Sequence, residues 1–180
     1  MIGPAAFIGA WAIGGATTSG YSAFTDAISD LAAIHAPTQV LMTTGFVVDG
    51  LGLIAFGLAL RDALEGRAWI AAVATGACTL AVAATPLGGW SGDAVHATFA
   101  GLGYAALVAL PWLAVAPLTR RHRTRWAQTS RLTAIVSAAC LLASTLGPLH
   151  GTFQRLGLTI GDAWIMAAAS VVITSTVVNR

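Results

Sequence analysis

Six long runs nearly free of charge, at residues 2–17, 38–60, 68–87, 94–118, 130–148 and 156–177, constrain this chain more than any other feature. A helix crosses the hydrocarbon core of a bilayer with roughly 20 apolar residues. Backbone surrounded by lipid has to satisfy its own hydrogen bonds, so such runs fold as helices. Little chain is left over for anything else. Of 180 residues, 57% are hydrophobic and only 9% are charged, against about a quarter charged in ordinary soluble domains. The sequence predicts one all-α integral-membrane domain over 1–180, a polytopic helical bundle with six transmembrane helices.

The first run is short and has no basic residue before it. The small-residue segment "ATTSGYSA" that follows also suits a cleaved signal peptide, but the missing basic leader favours a retained first span. The one long connection, 18–37, reads as a short amphipathic segment at the membrane interface, ended by Pro37.

Charge asymmetry sets the orientation. All nine basic residues are arginine. Arg61 and Arg67 flank one loop, Arg120, Arg121, Arg123, Arg125 and Arg131 fill another, and Arg180 ends the chain. The positive-inside rule puts these at the cytoplasm, with both termini, and leaves Arg155 alone outside. The expected location is a bacterial cytoplasmic (inner) membrane. The basic loop "TRRHRTRWAQTSR" is explained by topology and anionic headgroups, and no phosphate-cradling or nucleotide motif is present, so nucleic acid is not an expected partner. Cys78 and Cys140 lie inside spans and read as packing residues. Glycine patches such as "GLGLIAFG" read as sites where helix backbones approach closely.

Once orientation is fixed, Asp26, Asp30, His35, Asp93, His96, His150 and Arg155 fall in or near the outer loops. Asp49 and Asp162 differ from these. Asp49 stands about eleven residues into the second span, on the order of 15 Å deep at 1.5 Å per residue, and Asp162 about six or seven residues into the sixth. An ionised carboxylate at such depth costs a few kcal/mol or more, so each acid must face the bundle interior and find partners or hold a proton. The helical neighbours of Asp49 are Met42, Gly45, Phe46, Gly52 and Leu53, a face suited to packing inward. Arg155, Thr159 and Asp162 share one face of the last span, which would run a line of polar groups inward from the mouth. Phe46, Tyr104, Trp112 and Trp164 stand at similar depths, and Trp90 lies in an outer loop.

Three phrases resemble a known family: "ISDLAAIHAPTQVLMTTGFVVDGLGL", "TPLGGWSGDAVHATFAGLGYAALVALPWLA" and "GTFQRLGLTIGDAW" are similar to the small bacterial integral-membrane family catalogued as domain of unknown function nine-nine-eight. The matching positions are Ile28, Ser29, Asp30 and Leu31, then Pro86 and His96, then Gln154, Arg155 and Leu156. The resemblance covers nearly the whole chain and implies a six-helix fold with an extracytoplasmic polar cluster. It implies no established activity. Asp49 and Asp162 stand where the family pattern usually has apolar residues, which points to chemistry particular to this branch. In size, helix count and composition the chain is also loosely similar to integral-membrane terpene cyclases of actinobacteria.

That second similarity implies a proton-initiated, non-ionising cyclisation of a linear or epoxidised isoprenoid or meroterpenoid. Such a reaction needs an apolar cavity, an acid kept protonated, and aromatic faces that tolerate cations. The assignment is Asp49 as general acid, Asp162 as a second donor or hydrogen-bond partner, and His96 or Asp30 as terminal base. Phe46, Tyr104, Trp112, Trp164, Trp90 and Arg155 form the substrate-binding set. No cofactor or metal is called for, and the paired Asp-rich motif of diphosphate-ionising cyclases is absent. A second reading is a proton-coupled transporter or binding protein for a small lipophilic molecule. A third, ranked below both, gathers His35, His96 and His150 around zinc as a lipid hydrolase. The expected partners are the isoprenoid substrate and the lipid bilayer, with homo-oligomerisation left open.

Overall fold

The computed structural model describes residues 2–178, with side chains as far as Val171; Arg180 lies outside the described residues. The described chain is all α. Six α-helices follow in order: α1 (Ile2–Thr17), α2 (Gln39–Ala63), α3 (Ala68–Ala84), α4 (Asp93–Arg120), α5 (Thr124–Ala143) and α6 (His150–Val178), with a short 3-10 helix, Ile28–Ala32, between α1 and α2. Each helix packs on the next, and α6 returns to touch α1, α2 and α4, which closes the bundle. Two helices, Gln39–Ala63 and Asp93–Arg120, are long and apolar enough to cross a membrane, while Ile2–Thr17 and Ala68–Ala84 are shorter apolar helices.

The helices coincide with the six apolar runs, but the last two start earlier than hydropathy places them. α5 begins at Thr124 and takes in the basic run, because Ala127, Ser130, Ala134, Ser137 and Leu141 form a buried stripe at helical spacing while Arg125 and Arg131 stay exposed. Hydropathy averages that stripe away. α6 begins at His150, so Asp162 stands twelve residues past the helix start rather than six or seven. Its depth, about 18 Å at 1.5 Å per residue, therefore matches that of Asp49 on α2.

Backbone contact holds the helices together. A methyl group built on Gly76 of α3 would meet the Gly50 carbonyl oxygen of α2 at 2.5 Å, and one on Gly45 would meet the Ala10 side chain of α1 at 2.7 Å. Between α5 and α6, Ser137 Oγ donates to the Gly157 carbonyl at 2.9 Å and Trp164 Nε1 donates to Ser130 Oγ at 2.9 Å. Small and hydroxyl residues are how helices associate where lipid removes the hydrophobic drive.

The 18–37 connection differs from an interfacial amphipathic segment. Ile28 and Leu31 are fully buried, so the 3-10 helix plugs the end of the bundle. Arg155 fastens the chain in front of it. Its Nη1 donates to the carbonyls of Ala23, Asp26 and Gly151 at 2.8, 3.0 and 2.9 Å, its Nη2 donates to the Tyr21 hydroxyl, and its guanidinium lies over the Trp11 and Tyr21 rings. The Asp26 carboxylate accepts from the Ser22 N–H at 2.8 Å and the Thr25 hydroxyl at 2.9 Å, bonds that hold its pKa below the usual aspartate value.

Candidate functional site

Between the apolar cluster around the 3-10 helix and the one around Leu107 and Leu110, the helices leave a cavity of about 60 Å³. Five α-helices and the 3-10 helix contribute to its wall, which is mostly apolar and carries Phe7, Phe46, Phe99 and Tyr104. Asp49 and Asp162 both line it, and they are 4% and 3% exposed. They reach the same small cavity from α2 and α6. Asp49 Oδ1 and Asp162 Oδ2 are buried without a hydrogen-bond partner.

Such an arrangement has definite chemical consequences. Two carboxyl groups on one small, mostly apolar wall resist carrying charge together, since each would be desolvated and repelled by the other. A carboxyl group kept there as the acid would have a proton to give, and Asp49 Oδ1 and Asp162 Oδ2 meet no protein partner. Asp49 is positioned by glycines, because a methyl group on Gly3 of α1 would come within 3.3 Å of Asp49 Oδ1. Met42, Gly45, Phe46 and Leu53 are buried on the same face of α2.

At the opposite end of the cavity lies a hydrogen-bonded cluster. His96, 3% exposed near the start of α4, places Nδ1 2.7 Å from the Thr85 carbonyl and Nε2 2.8 Å from Ser29 Oγ. Gln154 accepts from the Ile28 N–H at 2.8 Å and donates to the Tyr104 hydroxyl at 2.6 Å. Ser29, Gln154 and Tyr104 line the cavity. Three separate stretches of chain, around residues 28–31, 85–96 and 154–156, thus meet at one place. Those are the three stretches that carry the family resemblance.

Other sequence candidates lie elsewhere. Asp30 is exposed and turns its carboxylate back to the Ala27 N–H at 2.8 Å, so it secures the 3-10 helix and does not line the cavity. Trp90 is 88% exposed in a loop, and Trp112 is 54% exposed on the outer face of α4. Trp164 is buried but lines two other clefts, of about 180 and 410 Å³, beside Trp126. Arg155 does not line the cavity, because its guanidinium is spent on loop carbonyls and rings above it. The face of α6 that does line it carries Gln154, Leu158 and Asp162 rather than Arg155 and Thr159. His35, His96 and His150 are not gathered, and no group of three potential metal ligands occurs among the described residues.

Ser29, Gln154, Phe7, Phe99 and the pair Thr75 and Thr79 line the cavity without having been marked as site residues. The threonines, four apart in an apolar helix, were a readable signal, although each hydroxyl donates to a carbonyl of its own helix. Ser29 and Gln154 stand among the family-matching positions, but their place on the cavity wall follows only from the partners that folding brings to them.

No curated protein and no solved structure matches the chain. Residues 1–171, by contrast, match one family model, and the chain belongs to that family, described as "Protein of unknown function (DUF998)".

Proposed function

We propose that this is a multi-pass protein of a bacterial cytoplasmic membrane in which the Asp49–Asp162 pair gives a proton to a lipophilic molecule, and that the reaction is acid-initiated cyclisation of an isoprenoid or meroterpenoid. The membrane reading is supported by the outward faces of the helices. Val40, Leu51, Leu58, Leu102, Leu132, Ile135 and Leu142 are all exposed, whereas a soluble monomer rarely leaves broad apolar patches in water. In this reading all six helices cross, with the arginine loops inside, as one domain.

The observation that carries the catalytic reading is a pair of acids with unpartnered oxygens facing a dry, aromatic wall. Protonation of an alkene or epoxide by Asp49 creates a carbocation. The rings of Phe7, Phe46, Phe99 and Tyr104 stabilise a nearby cation by roughly 0.5–2 kcal/mol each, and the apolar wall keeps out quenching water. Asp162 passes a proton to Asp49 after the transfer. His96, reached through the Ser29 hydroxyl, takes the proton that the final cation loses, and its return to Asp162 resets the pair for the next turnover. The cavity, about 60 Å³, has room for only a few waters, so an isoprenoid enters by parting the helices around it.

That small volume favours one second reading, in which the acids carry protons coupled to movement of a small lipophilic molecule. Feeding linear and epoxidised isoprenoids to cells that express the protein separates the two. The cyclase gives products of unchanged mass and new retention time by chromatography and mass spectrometry. Substrate recovered unaltered, with uptake into vesicles that collapses when the proton gradient is removed, assigns the acids to transport.

A further inference from the structure

We propose that Ser29 and His96 form a nucleophile–base dyad able to cleave a lipophilic carboxylic ester, an activity beyond the cyclase reading that draws on the same two residues but does not require that reading to hold. The argument begins with a proton. The Thr85 carbonyl oxygen can only accept, so the 2.7 Å contact fixes the hydrogen of the neutral His96 ring on Nδ1. Nε2 then presents a lone pair, and the 2.8 Å contact with Ser29 is a bond donated by the serine hydroxyl. A serine that donates to an imidazole held in one tautomer by a third group is the geometry of an activated nucleophile. Ser29 and His96 are both buried, and Ser29 stands on the cavity wall among Phe7, Phe46 and Phe99.

A donor for the developing oxyanion lines the same cavity. The Ile28 N–H can only donate, so the Gln154 oxygen faces it and the Gln154 NH₂ faces Tyr104. The phenol oxygen of Tyr104 accepts that bond, which leaves its own proton to give to a carbonyl oxygen that gains charge. In the first half-reaction Ser29 Oγ bonds to the ester carbonyl carbon, its proton passes to His96 Nε2, and the carbon–alkoxide bond breaks as the alkoxide takes that proton. In the second, water adds to the acyl carbon, gives its proton to Nε2, and the carbon–Oγ bond breaks as Ser29 recovers the proton. The water this step consumes enters from outside once the alcohol has left, into a cavity with room for a few such molecules.

The test treats the full-length protein in detergent with a compact alkyl fluorophosphonate, which forms an Oγ–phosphorus bond with loss of fluoride, and locates the adduct by peptide mass spectrometry. The expected adduct is on Ser29, absent in Ser29→Ala and formed at least about 100-fold more slowly in His96→Gln. Thermal melting of both variants confirms that they are folded. Wild-type protein without an adduct on Ser29, or undiminished labelling of folded His96→Gln, overturns the proposal.

Discussion

Asp49→Asn is expected to lower cyclised product by roughly 10²–10⁴-fold, the usual contribution of a positioned general acid, while the protein melts no lower than wild type. The substitution keeps the shape of the side chain and removes only its acidity, so the two measurements separate chemistry from folding. Thermal unfolding in detergent reads the second. Relieving a pair of buried carboxyl groups of one acid also removes their mutual repulsion, so the melting temperature is unchanged or raised. Asp162→Asn should follow the same pattern with a smaller loss, and the double variant should be no worse than Asp49→Asn alone, because residues that act as a unit do not add. A double variant that loses the product of the two single effects would mean that the acids work separately.

Arg155→Ala has the largest expected effect on stability, a loss of about 3–5 kcal/mol, from removing several charge-assisted hydrogen bonds and two ring contacts and leaving the carbonyls it bridges without their shared donor. Arg155→Lys should recover only part of this, since an ammonium group cannot reproduce the planar fork that reaches Ala23, Asp26 and Gly151 together. Thermal unfolding of the three proteins checks it. Melting of Arg155→Ala at the wild-type temperature would show that the loop before the 3-10 helix is held by something other than this clamp.

That clamp also marks where sequence reasoning stops. Arg155 and Asp162 stand seven apart and do share a face of α6, but helical periodicity says nothing about what lies above each turn. The guanidinium meets Trp11, Tyr21 and loop carbonyls, while the cavity lies against Gln154, Leu158 and Asp162. The helices themselves were legible because lipid-length apolar runs admit few other folds. The inward face of Asp49 was legible for the same reason, since a buried acid can only turn toward other helices. The start of α5 was not, because its buried stripe is made of alanine and serine and its exposed side of arginine. Trp112 illustrates the converse error. An aromatic residue at the right depth has equal reason to face lipid or cavity, and neighbouring helices alone decide between them. The Ser29–His96 contact joins residues 67 positions apart, so no local pattern announces it.

Running the reaction of a linear, non-epoxidised isoprenoid, which an acid protonates at an alkene carbon, in deuterated water tests the central claim most directly. If Asp49 gives its proton to the substrate, the exchangeable acid carries deuterium into the product, and mass spectrometry finds a single deuterium at the carbon that was protonated, in an amount that follows Asp49→Asn downward. A cyclised product that forms in deuterated water without deuterium, or that forms equally well in folded Asp49→Asn, would contradict the account.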